Sequence, residues 1–263
     1  MNNSTNVPLT STWQRSDTVE RRIGGGAVGR DQLTVADRDE MYALLRRCFS
    51  GTDRTRFERD LAEKETVLVL RDTADNSICG FSTLMRLRTR IDDESIVAFF
   101  SGDTIVDPAY WGDTALSRMW CHVVFGEADR LARVEPRTRV FWFLICSGYK
   151  TWRFLPVFFR DYYPNAAMPT PAFHQRLLDT LGRAKFGDEY LTGDGIVRFH
   201  QATPLKRGVA DLTSERLRDP HIAFFARKNP GHLDGDELAC IAEVSRANLT
   251  RAGRRMVDAG WSV

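Results

Sequence analysis

The segment from Phe99 to Leu116, FFSGDTIVDPAYWGDTAL, constrains this chain more than any other. It starts as a β-rich run, stops at Val106-Asp107-Pro108, turns through Tyr110-Trp111-Gly112 and opens a helix at about Asp113. A helix that starts directly after a strand presents unpaired backbone N–H groups and the positive end of its dipole. Such a turn is suited to an anion, a phosphate or diphosphate above all.

The flanking sequence predicts the layers around that turn. Residues 36 to 49 carry Met41, Leu44, Leu45 and Cys48 at helical spacing, and a short helix is expected from Phe57 to Lys64. TVLVLRD (66 to 72) and ICGFSTLMRLRTR (78 to 90) form a hairpin across TADNS, and Asp92-Asp93 turns the chain into a third strand, Ile96 to Val106. The helix Thr114 to Leu131 places Leu116, Met119, Trp120, Val123, Val124, Ala128 and Leu131 on or near one face. RVFWFLIC (139 to 146) is continuously apolar, as expected of a strand buried on both faces. A helix is predicted from about Tyr149 to Tyr162, another near 171 to 185, a short strand at 196 to 200 and a last amphipathic helix at 237 to 253. A first strand is expected near Gln32 to Val35, and residues 1 to 27 read as a flexible arm rich in Asn, Ser, Thr and Gly.

Composition narrows the function classes. A net charge of +2 and the lack of a basic stripe interleaved with aromatics argue against nucleic acid. Five cysteines without a CxxC pair give neither a zinc site nor a disulfide framework, so no metal is expected and a reducing, cytoplasmic setting fits. The first 26 residues lack the apolar core of a signal peptide, and no run is long enough for a membrane helix.

The order strand, two helices, three antiparallel strands, helix, strand, helix, strand resembles that of the GNAT superfamily of acyltransferases, over residues 28 to 165. The local match is Val106-Asp107-Pro108-Ala109-Tyr110-Trp111-Gly112-Asp113-Thr114-Ala115-Leu116, which is similar to the family's V-x-P-x-Y-R-G-x-G-x-G segment. Trp111 stands where the family has Arg or Gln, and Thr114 and Leu116 stand where it has small residues. The resemblance implies an α+β fold with a mixed, mostly antiparallel sheet flanked by helices. Residues 166 to 263 would then be an extension that completes the sheet and covers the acceptor site. It implies an N-acyltransferase that moves an acyl group from a thioester to the amine of a small-molecule acceptor in a biosynthetic setting. Ile105, Val106, Trp111, Gly112, Asp113, Thr114, Ala115 and Leu116 would hold the donor's diphosphate or pantetheine arm, with Ser147, Lys150 and Thr151 at the next helix start. The donor would be acyl-CoA or a phosphopantetheine-linked acyl group. An acyl carrier protein demands less of the altered loop, and the many Arg residues suit its acidic surface. Rival readings are an enzyme dependent on the carrier protein alone, or a catalytically silent GNAT-like module that binds a ligand. The helix expected at 237 to 253 would roof the acceptor or pack against a second subunit in a homodimer.

Aminolysis of a thioester needs a group to take the amine's proton and a group to stabilise the leaving thiolate. Asp103, on the central strand after Gly102, and His122, on the following helix, are candidates for the first. The family's tyrosine acid aligns with Phe159, which leaves Tyr149 and Tyr163, with Tyr162 beside it, as alternatives. Cys146, at the end of the apolar strand, is the candidate for an acyl-cysteine route.

Overall fold

The computed structural model describes residues 23–261. One nine-stranded sheet runs through it in the order β1-β2-β3-β4-β5-β9-β8-β7, with β6 attached to β9. The strands are β1 (Ile23–Gly29), β2 (Thr66–Asp72), β3 (Ile78–Ile91), β4 (Glu94–Val106), β5 (Thr138–Cys146), β6 (Tyr162–Tyr163), β7 (Tyr190–Leu191), β8 (Ile196–Val197) and β9 (Glu237–Glu243). Every pairing is antiparallel except that of β4 with β5. This is the mixed, mostly antiparallel α/β fold that the element order implied.

Helices α1 (Val35–Cys48), α2 (Arg54–Ala62) and α6 (Ala172–Phe186) cover one face of the sheet. On the other face lie α3 (Ala115–Val134), the one-turn α4 (Tyr149–Trp152), α5 (Phe154–Phe158), α7 (Pro220–Lys228) and α8 (Arg251–Asp258). Local chemistry sets several starts. Thr34 caps α1 by accepting from the Asp37 amide, while the Asp37 carboxylate accepts from the Thr34 amide. Asp53 caps α2 in the same sense. The apolar stripe of α3 packs Met119, Val124 and Leu131 against β2, β4 and β5, and the helix runs back along the sheet. Arg86 and Arg88 of β3 accordingly meet Glu127 and Glu135, about two turns apart on the helix.

A bulge in β4 positions everything that follows. Ser82 opposes Thr104 and Leu84 opposes Ser101, so Thr83 faces both Gly102 and Asp103. The extra residue inverts the alternation of side chains beyond it. Phe99 points to the α3 face, whereas Ile105 packs with Met41 and Phe57 of the α1–α2 face and Val106 against the α3 face.

Several expected elements differ. The strand expected near Gln32 to Val35 lies earlier, as β1, and Arg30–Gln32 is a single 3-10 turn. Residues 23 to 27 therefore belong to the sheet and not to an arm, while residues 1 to 22 lie outside the described ones. A glycine run makes a poor strand by propensity, but Gly25 has φ +140° and a Cβ there would lie 2.0 Å from the Val69 carbonyl oxygen. Pairing with β2 overrides local preference. The helix expected from Tyr149 to Tyr162 breaks into α4, α5 and β6, because Pro156 has no amide to give the Trp152 carbonyl and Tyr162-Tyr163 pairs with β9. The helix expected at 237 to 253 is β9 followed by a 3-10 turn and α8. Glu237 to Ala242 is buried throughout, between β5 and β8, and a strand covered on both faces loses the alternation that identifies it.

Candidate active site

Strands β4 and β5 stay paired from Ser95–Thr138 to Ser101–Leu144 and then part. The bulge turns β4 away from Gly102 onward, while β5 continues along β9 to Cys146. A cavity of about 870 Å³ occupies the gap and opens on both faces of the sheet. Its two sides differ in chemistry.

On the α2–α6 side the lining is charged. Lys64 is 5% exposed, donates to the Asp60 carbonyl and stands 5.6 Å from the centre of the Phe100 ring. Lys185 lies at the same distance from that ring and donates to Glu63 at 2.6 Å. Asp103 opens into this chamber from the bulge; burial lifts its carboxyl above the usual range, against the pull of the Lys64 ammonium. Burial also lowers the Lys64 ammonium, with the neighbouring charge of Lys185 adding to it. Glu237, the first residue of β9, lines the same chamber and is pushed up to about 7 by burial. A hydrogen bond from Ser147 opposes that shift, and the charge of Asp103 adds to it. Glu237 is the residue that sequence reasoning missed. Its signal was an acidic residue at the head of an apolar run, which a helical reading places at a solvated N-terminus and a strand reading places in the core.

On the α3 side the lining is apolar. Trp120 and Trp142 meet with ring centres 4.4 Å apart, and both indole N–H groups donate to the Ser101 hydroxyl, at 3.0 and 2.9 Å. Ser101 is the last β4 residue paired with β5, so this knot sits at the apex of the gap.

The turn from β4 to α3 forms the mouth. Trp111, Gly112, Asp113 and Leu116 line it, together with Ile105 and Val106 of β4. Ser147, Lys150 and Thr151 line the opposite lip. Thr114 and Ala115 lie outside the lining, and the Ala115 amide is taken by the Asp113 carboxylate at 2.6 Å. Among the described residues the amides of Leu116 and Ser117 have no hydrogen-bond partner, so part of the helix start remains available. A carboxylate on the first amide makes it a weaker diphosphate seat than the turn alone predicted. The helix start after Ser147 is weaker still, since α4 is a single turn.

The remaining sequence candidates lie elsewhere. Cys146 is fully enclosed, with its sulfur 4.0 Å from that of Cys240, and an acyl-cysteine route has no access to it. His122 is exposed on the outer face of α3. Tyr149 is buried beside Arg216, and the Tyr163 hydroxyl turns to the Met168 sulfur on the other face. Tyr162 approaches the His221 ring at 3.3 Å. None of these five lines the cavity; for the tyrosines this is because α4 and β6 replace the continuous helix that would have carried one inward, and Phe159 does line it.

The strand order, the single parallel pair and the parting of that pair make the fold GNAT-like. No protein-family model matches the chain, and no curated protein matches it. Among solved structures, it is similar to a conserved protein of unknown function from Enterococcus faecalis, described as a probable N-acyltransferase, at 16% identity and a TM-score of 0.36. That likeness covers 51% of this chain and 31% of the other, so the chain spans under a third of that protein's length. It is also similar to a GNAT family N-acetyltransferase from Escherichia coli in complex with CoA, at 18% identity and a TM-score of 0.32, covering 51% of this chain and 68% of the other. A third is an N-acetylglutamate synthase from Neisseria gonorrhoeae complexed with coenzyme A and N-acetyl-glutamate, at 15% identity and a TM-score of 0.35, covering 57% and 31%.

Among the described residues, no helix is long and apolar enough to cross a membrane, and no cluster of His, Cys, Asp and Glu has the arrangement of a metal site.

Proposed function

We propose that the protein is an N-acyltransferase that passes an acyl group from a pantetheine thioester to an amine. The observation that carries this reading is the cavity at the β4–β5 parting, lined by a buried Glu237 and a half-buried Asp103, both held toward their protonated forms. In this reading the pantetheine arm enters between Trp111 and Lys150, and the thioester carbonyl lies at the apex beside the unpaired main chain of β4. The amine arrives from the α2–α6 side. Its nitrogen attacks the carbonyl carbon, a C–N bond forms, and Glu237 takes the proton that the nitrogen loses. The tetrahedral intermediate then expels the thiolate as the C–S bond breaks, and the thiolate is protonated from solvent at the mouth. A carboxyl near 7 is well matched to that transfer at neutral pH. Asp103 and Lys64 hold the charge balance around the amine. Bringing the two reactants together supplies much of the acceleration.

The donor has two candidate forms. Asp113 on the Ala115 amide, and a Trp in place of a basic residue at 111, both lessen the hold on a nucleoside diphosphate. They favour a phosphopantetheine carried on an acyl carrier protein over free acyl-CoA. The deciding experiment measures amine-dependent thiol release from matched acyl-CoA and acyl-carrier-protein thioesters. Release from either supports acyl transfer, and a carrier preference of tenfold or more assigns the donor. Release from neither, with donor binding intact, returns the protein to a ligand-binding role.

A further inference from the structure

On the α3 face the cavity continues past the apex of the β4–β5 parting. Trp142 pairs with Phe99, two residues behind the last β4–β5 contact before the strands separate. Phe125 lies farther along α3 from the mouth than Trp120, and α3 runs back down the sheet. Phe159 and Leu249, joined by a β-bridge, and Gly253 of α8 complete the walls. These walls are closely spaced: the Trp142 ring centre lies 4.4 Å from that of Trp120 and 5.9 Å from that of Phe159. The blind end is therefore a slot and not an open chamber. It offers a polar guest little: the Ser101 hydroxyl oxygen already accepts both indole N–H groups and keeps a single O–H to donate.

We propose that this slot receives a linear, unbranched acyl chain of medium or greater length, carried by the thioester donor. The proposal rests on the acyl-transfer reading for the position of the thioester at the apex. From there three paths diverge. The pantetheine arm leaves through the mouth, the amine enters from the charged face, and the apolar path along α3 leads toward Phe125. An acetyl group would leave this end of the cavity unfilled. A bulky or branched acyl group would meet the paired indoles, whereas a polymethylene chain needs only width and length. Burying it displaces no bound polar partner and gains affinity with each methylene.

The test separates the slot from the chemistry. S-alkyl pantetheine thioethers with chains of two to fourteen carbons are titrated calorimetrically into the full chain. Affinity is expected to rise with each added methylene, by up to roughly fourfold per carbon, and then to level off where the chain meets Phe125. Leu249→Phe narrows the slot and should bring the plateau to shorter chains. Phe125→Leu lengthens it, should move the plateau the other way, and serves if the first variant does not fold. Affinity independent of chain length overturns the proposal. Thiol release from the matching acyl thioesters is measured in parallel. Turnover without length dependence overturns the slot alone. Length-dependent binding without turnover sustains the slot and overturns the catalytic reading on which its role as donor site rests.

Discussion

The ammonium of Lys150 lies 3.2 Å from the centre of the Trp111 ring, and this contact joins the two lips of the β4–β5 parting. Trp111 belongs to the turn after β4 and Lys150 to the turn of helix after β5, so the pair spans the mouth. The indole is also tied to its own strand by a hydrogen bond from Nε1 to the Val106 carbonyl, at 2.9 Å. Burial holds the Lys150 ammonium below its usual range, and the charge of Arg216 pushes it the same way. A cation on an aromatic face contributes about 0.5–2 kcal/mol, enough to keep a mouth mostly closed and still let it open. Lys150→Ala is expected to speed association of an uncharged S-alkyl pantetheine severalfold in stopped-flow fluorescence. An unchanged association rate would place the entry path elsewhere.

Glu237 links activity and stability to pH in opposite directions. As the base it must be ionised, so kcat/KM should rise with pH through about 7 and fall away below it. Its folded value of about 7 lies above its usual 4.5, so the folded protein binds the extra proton between those limits. Stability should accordingly decline as pH rises through that window, by roughly 3 kcal/mol in all. Glu237→Gln should lower kcat/KM by about a hundredfold or more and remove that slope from denaturant titrations. A variant with unchanged kcat/KM and an unchanged pH profile would remove Glu237 from the chemistry.

Gly102 sits where the bulge brings three segments together. A Cβ there would stand 2.6 Å from the Thr83 hydroxyl and 2.7 Å from Cε of Lys64. Gly102→Ala should cost about 1–3 kcal/mol by overpacking and displace the Lys64 ammonium, measured by urea unfolding together with KM for the amine. Gly126→Ala is the contrast. It lies on the exposed side of α3 with nothing near its absent Cβ, and should stabilise the protein by about 0.5–1 kcal/mol.

Ser101→Ala removes the acceptor shared by two buried indoles. Two N–H groups left without a partner should destabilise the fold by about 2 kcal/mol or more and shift the tryptophan emission. A change under about 0.5 kcal/mol would mean that the two rings are held by packing alone.

The part of this architecture legible in the sequence is the part set by local pattern. The hairpin of β2 and β3, the helix α3 and the apolar strand β5 all follow from periodicity, and the register switch after Val106 locates the mouth. Asp103 stands out because a carboxylate after Gly102 on the central strand is placed to face an acceptor. The rest depends on tertiary partners. Nothing local makes Ile23-Gly24-Gly25-Gly26 a strand until β2 lies beside it. Glu237 to Ala242 reads as helix because a strand buried on both faces carries no alternation, and with that misreading went the second carboxylate of the site. The tyrosines were sought on a helix that Pro156 interrupts.

The placement of β9 governs the order in which the molecule can be completed. Strand β5, continuously apolar from Val140 to Cys146, has β4 along one edge and β9 along the other. The residues that cover its second edge follow nearly a hundred positions later, at Glu237–Glu243. On the ribosome that edge stays open until the whole of β9 has emerged, while the segment RVFWFLIC waits with its hydrogen-bonding groups available to any other strand. Nascent chains halted before Glu237 should therefore be captured by chaperones or aggregate, even though every residue of α1, α2 and the hairpin has already been made.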